Sequence, residues 1–97
     1  MASFELSGNQ LKMSGSLDGD AEGPMRAQLD KLLGGTTGPV EVDMLGVDVI
    51  SSICIGALVA FWIDLNSGGR TLKLSASPQV KRVLDLTGLT TVLMKQS

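Results

Sequence analysis

The sequence predicts an α/β domain: a mixed sheet of four to five strands with its helices mainly on one face. Three observations carry this. A Gly8-Asn9 pair separates two short alternating segments at the start, as in a hairpin. From residue 24 onward, helical patterns alternate with strand patterns, which implies parallel pairing through right-handed crossovers. The length of 97 residues is that of a single domain, 1–97, with one core.

The hairpin is read as Ser3 to Ser7 and Gln10 to Ser16. In its second strand, Leu11, Met13 and Gly15 face one way and Lys12 and Ser14 the other. The glycine- and carboxylate-rich segment GSLDGDAEG forms a loop. A helix is predicted from Pro24, a favoured first-turn residue, with Met25, Leu29, Leu32 and Leu33 as its buried stripe and Gly34-Gly35 as its stop. VEVDM, Val40 to Met44, alternates as a half-buried strand. Val49 and Ile50 then lead into an apolar helix from Ser52 to about Leu65, ended by Asn66, Gly68 and Gly69. TLKLS, Thr71 to Ser75, is the next strand. Ser77-Pro78 is a cap and first-turn pair for a helix whose inner stripe is Val80, Val83, Leu84 and Thr87, stopped at Gly88. Thr91 to Met94 is predicted as a last short strand.

Composition excludes several classes of function. The net charge is -2 and only three residues are aromatic, which argues against nucleic acid as a partner. With no histidine, there is no Ser-His-Asp or Cys-His arrangement and no histidine metal site. The one cysteine, Cys54, lies in an apolar run and reads as a small buried hydrophobe. Neither Gly34-Gly35 nor Gly68-Gly69 belongs to a phosphate-binding G-x-x-x-x-G-K-[ST] loop. The first residues, MASFELSGNQ, have no basic start followed by an apolar run, and Ile53 to Ile63 is well short of the ~20 residues needed to span a bilayer. The expectation is a cytoplasmic, non-enzymatic protein without metal or cofactor and without membrane insertion. Charge is uneven: residues 1–66 carry -6 and residues 67–97 carry +4. These are either two solvated faces or a surface that orients a partner.

The most informative stretch is VDVISSICIGALVAF, Val47 to Phe61, where two serines stand at the entry of a helix. Free N–H groups and the helix dipole favour negative charge at that point. A phosphate there replaces a small neutral group with a bulky anion. The alternative is a plain serine cap, with Ser52 or Ser51 as the capping residue. The helix is apolar all round, which suggests that part of it, with Trp62, meets a partner or a second copy in a weak homodimer.

Several separated segments resemble STAS domains, the bacterial anti-sigma-factor antagonists. GSLD, Gly15 to Asp18, is similar to the family's G-E-L-D. VEVDMLGV, Val40 to Val47, is similar to its V-x-L-D-L-x-x-V. ISSICIGAL, Ile50 to Leu58, resembles the phosphoacceptor motif I-D-S-S-G-L-G-x-L. GRTLKLSASPQVKRVLDLTGL, Gly69 to Leu89, carries the spacing G-x-x-L-x-L-x-x-x-x-P-x-V-x-x-x-L-x-x-x-G-L. By position, the resemblance implies Ser52 as phosphoacceptor, with Ser51 as the alternative. It implies Asp18, Asp43, Ser51, Ile53 and Gly56 as partner-binding residues. It further implies an anti-sigma-factor serine kinase and a phosphatase as partners, in a partner-switching control of transcription. Ser51 departs from the family's aspartate, Ile53 from its small residue and Cys54 from its glycine. These departures leave open a second class, a fixed structural subunit such as the STAS-like component of a lipid-transport ATPase. A small-ligand sensor would need an apolar pocket for which a chain this short has little volume.

Overall fold

The computed structural model describes residues 2–93. Eight elements follow in order: β1 (Ser3–Ser7), β2 (Gln10–Leu17), α1 (Glu22–Gly35), β3 (Val40–Ile50), α2 (Ser52–Ser67), β4 (Leu72–Ala76), α3 (Pro78–Leu86) and α4 (Thr90–Leu93). A single 3-10 turn, Gly19–Ala21, precedes α1.

The four strands stand in the order β1-β2-β3-β4. β1 pairs antiparallel with β2, and β2, β3 and β4 run parallel, so the sheet is mixed as predicted. Gly8 adopts a φ of +57° and Asn9 does not share it, which is the pattern of a type II′ hairpin turn.

One face of the sheet is apolar. Leu11, Met13, Val42, Met44, Leu72 and Leu74 are buried there with Met25, Leu29 and Leu32 of α1, Cys54, Leu58, Phe61 and Leu65 of α2, and Val80 and Leu84 of α3. The other face carries Glu5, Lys12, Glu41, Asp43 and Lys73 in register across the strands. Opposite charges side by side suit a solvated sheet surface.

The parallel strands give the sheet two distinct ends. At the lower end, where β3 and β4 begin, polar side chains close the connections. Asn9 donates from Nδ2 to the carbonyls of Thr37 and Pro39, both at 2.9 Å. Arg70 donates to the Gly38 carbonyl (2.8 Å), the Leu33 carbonyl (2.8 Å) and Thr36 Oγ1 (2.7 Å). Its guanidinium thereby satisfies the Leu33 carbonyl at the C-terminal end of α1, where a cation is also favoured by the dipole. At the upper end, β2, β3 and β4 finish, and α1, α2 and α3 start.

Three predicted boundaries change. The last strand is instead the short helix α4: the N–H groups of Val92 and Leu93 bond back to the Leu89 carbonyl at 3.1 and 2.9 Å. Gly88, at φ +74°, turns the chain, and fully buried Leu93 pins the segment into the core. Packing there outweighs the strand preference of Thr-Thr-Val, and Met94 lies outside the described residues. α1 starts at Glu22 rather than Pro24, because Asp18 caps the preceding turn by accepting from Asp20 N at 3.1 Å. Pro24 falls in the first turn, where its missing N–H costs nothing.

The third change matters most for the site. β3 extends to Ile50 rather than ending at Met44. Its pairing with β2 shifts register twice, between Lys12 and Ser14 and between Gly15 and Ser16. These bulges break the two-residue period, so that Leu45, Gly46, Asp48 and Val49 are exposed while Val47 and Ile50 are buried. Gly46 is required at the first shift, since a Cβ on it would lie 2.9 Å from Ser14 Cβ.

Candidate functional site

The site grows from the junction of β3 and α2 at the upper end. Leu17, the last residue of β2, accepts from Ser51 N at 2.8 Å and fixes where β3 stops. Ser51 then takes an extended conformation, φ -83° and ψ 161°, and its Oγ accepts from Cys54 N at 3.3 Å. Ser51 is therefore the N-cap of α2. Ser52 is the first helical residue. It is exposed, and no hydrogen bond joins its hydroxyl to any described residue. The two serines thus divide the roles that the sequence left open: one holds the helix and the other stands free on its first turn.

Cys54 is fully buried, as expected for a small hydrophobe, and its thiol donates to the Asp18 carbonyl at 3.3 Å. The Asp18 loop is thereby tied to the first turn of α2. Asp18 itself is exposed, and its carboxylate caps the 3-10 turn. Its side chain has the local role of a turn aspartate. The bonds from Ser51 N to the Leu17 carbonyl and from Cys54 to the Asp18 carbonyl join the Asp18 loop and the start of α2 into one group.

Ile53 stands beside Ser52 with 57% of its surface exposed, and Val49 with 54%. The outer side of α2 continues through exposed Gly56, half-buried Val59 and Ala60, and exposed Ile63. This spacing makes one uncharged stripe along the helix. Trp62 packs against the core and is only half-buried. Ser77, at the start of α3, is buried and donates from Oγ to the Val47 carbonyl at 2.5 Å. Its N–H bonds the Met44 carbonyl at 3.2 Å. α3 thereby holds the bulged part of β3 that leads to Ser51 and Ser52.

Asp43 is not part of this group. It sits in the middle of β3, paired with Lys12 and Ser75, and its carboxylate accepts from Leu45 N at 2.9 Å. Ile50 lies seven positions further along the strand, roughly 20 Å at the rise of a β-strand. Its expected place at a strand end does not hold, because the strand runs on through the bulges.

An open cavity of about 510 Å³ adjoins the Asp18 loop, lined by Ala2, Phe4, Asp18, Asp20, Ala21 and Pro24. Among the described residues, no three His, Cys, Asp or Glu side chains gather where they could hold a metal ion. No described helix is long and apolar enough to cross a membrane.

Sequence reasoning missed Val49 and Ser77 as parts of this end. Val49 read only as part of the lead into α2, and the register shifts of β3 leave it exposed. Ser77 was legible as a cap, but its bond to Val47 joins residues thirty positions apart and leaves no local signal.

The family model described as "Mlab, STAS domain" matches residues 2–95, and the chain belongs to the STAS domain family. No curated protein matches the sequence. Among solved structures, an anti-sigma factor antagonist from Mycobacterium paratuberculosis superposes with a TM-score of 0.79 at 17% identity, covering 96% of this chain and 81% of that one. A sulfate transporter family protein from Wolinella succinogenes gives 0.75 at 21% identity, covering 96% and 76%. The Bacillus cell fate determinant SpoIIAA in its phosphorylated form gives 0.69 at 18% identity, covering 97% and 89%. At these identities the likeness is one of fold.

Proposed function

We propose that this domain is a non-enzymatic anti-sigma-factor antagonist that docks a serine kinase of the anti-sigma-factor type on the first turn of α2. Phosphorylation of Ser52 switches the docking off, and a phosphatase restores it. The observation that carries this reading is the free, exposed hydroxyl of Ser52 at a helix N-terminus whose cap is already supplied by Ser51. Modifying Ser52 therefore leaves the helix capped. The added phosphate is favoured locally by the N-terminal N–H groups and the dipole. Toward a docked partner it acts by bulk and charge, on the helix turn that carries exposed Ile53 and that Cys54 ties to the Asp18 loop. Ile53 points into solvent and so contributes apolar area to the docking face. The fold neighbour SpoIIAA has been solved in a phosphorylated form, which fits a switch on this fold.

The test is a pull-down from native lysate with tagged wild type and Ser52→Asp side by side. The expected result is an ATP-binding serine kinase held by the wild type and lost from Ser52→Asp, with Ser52→Ala bound constitutively. Equal retention by the wild type and Ser52→Asp would overturn the switch.

A second reading is favoured by one observation, the uncharged stripe from Ile53 through Gly56 and Ala60 to Ile63. It runs well beyond the reach of a phosphate on Ser52 and suits permanent docking as a structural subunit of a transporter ATPase. On this reading, Ile63→Asp abolishes co-purification and Ser52→Asp leaves it unchanged.

A further inference from the structure

One corner of the sheet is incomplete. β1 begins at Ser3, opposite Ser14, so β2 runs on beyond it to Leu17 without a partner on that side. The 3-10 turn Gly19–Ala21 and the start of α1 stand at this corner. The cavity of about 510 Å³ lies between them and the start of β1. We propose that this cavity is a binding site for a small organic amine, protonated at neutral pH. Its apolar body lies against Phe4 and Ala21, and its ammonium group faces Asp18 and Asp20.

The lining selects the class of ligand. Ala2 and Phe4 are half-buried and pack against the core, and Ala21 is buried. With Pro24 they give the cavity an apolar wall. The charged lining is carboxylate alone: Asp18 and Asp20 are present and no basic residue is. Asp18 Oδ1 accepts from Asp20 N. Among the described residues, no hydrogen bond or ion pair engages Asp18 Oδ2 or the Asp20 carboxylate. Arg26, the base nearest in sequence, is held by Glu22 at 2.6 Å and leaves both aspartates uncompensated. The dipole at the start of α1 offsets about half a unit of charge, against two. Carboxylates and an aromatic ring both attract a cation, and the same carboxylates repel an anion.

Size separates a free ligand from a protein side chain. The volume falls within the roughly 300–1,000 Å³ of small-molecule sites. A single lysine or arginine side chain from a partner would fill only part of it. The cavity is open, so one side of the ligand stays in water and the affinity is modest. Asp18 also holds the thiol of Cys54 through its carbonyl, so the loop that contacts the amine is tied to the first turn of α2. The site does not depend on the function proposed for Ser52.

Three probes of one shape and different charge test this: 2-phenylethylamine, neutral 2-phenylethanol and anionic 3-phenylpropionate. Each is titrated into the full chain, labelled with nitrogen-15, up to about 20 mM, and amide shifts are followed. The amine should bind with a dissociation constant on the order of 1 mM, in line with its few atoms. Its shifts should centre on Phe4, Asp18, Asp20 and Ala21. The alcohol should bind at least about fivefold more weakly, and the anion more weakly still. Asp20→Asn removes a carboxylate that bonds nothing among the described residues, so the fold should stand while amine affinity falls several-fold. Asp18→Asn keeps the acceptor for Asp20 N and should act in the same direction. Neither should change the affinity of the alcohol. No saturable shift with the amine up to about 20 mM overturns the proposal. So does an alcohol that binds as tightly as the amine, an amine affinity that both asparagine variants leave unchanged, or shifts centred away from this corner.

Discussion

At the lower end of the sheet, Asn9 and Arg70 turn their donors inward and close the loops before β3 and after α1. At the upper end the same parallel strands finish in a different manner. Ser51 and Ser77 satisfy the backbone of α2, α3 and β3, and then Ser52, Val49 and Ile53 are left facing out. Both ends consist of connections between strands and helices, yet one is complete in itself and the other has capacity to spare. A loop region that has already capped its helices can change a residue's charge without unfolding. On the function proposed above, a phosphate on Ser52 acts on a partner rather than on the fold.

Four substitutions break or sharpen this contrast, each read by urea denaturation. The largest effect is expected at the lower end: Arg70→Ala removes a charged donor from two carbonyls and a hydroxyl. It should cost about 3 kcal/mol, since bonds to charged groups contribute more than neutral ones. A loss below about 1 kcal/mol would mean that water replaces the guanidinium and that the lower end is less closed than its geometry indicates. Next comes Ser77→Ala, expected at about 2 kcal/mol, because it strips both the buried bond donated to the Val47 carbonyl and the cap of α3. Its loss should also loosen Val49, visible as faster amide exchange in the second half of β3. Ser51→Ala removes the cap of α2 alone and should cost about 1 kcal/mol. Ser52→Ala should change stability by less than about 0.5 kcal/mol, as at an exposed position without partners. If the last two exchange places, Ser52 is the capping residue and the division of roles between the serines is wrong.

Much of the fold was legible because its signals are local. The Gly8-Asn9 turn, the 3.6-residue stripe of α1, the Ser77-Pro78 start of α3 and the glycine stops depend on residues a few positions apart. The pair Ser51-Ser52 was legible as a helix entry for the same reason. Which serine caps was not, since the choice depends on where β3 stops, and that is decided by the bond from Ser51 N to the Leu17 carbonyl of another strand. Asp43 was misplaced on its strand by the same gap: the strand looks finished at Met44 until β2 is beside it.

The sequence by itself determined the class of this domain, its element order as far as α3, its inner faces and the helix start at which a hydroxyl is presented. These follow from periodicity and from the backbone preferences of glycine, proline and serine, which act within a turn or two. The tertiary structure alone decided the register of β2 on β3, the outward turn of Val49, the tie between Cys54 and Asp18, and the conversion of the last predicted strand into α4. Each of these depends on a bulge, a buried contact or a neighbour far along the chain, where the free energy of packing outweighs local preference.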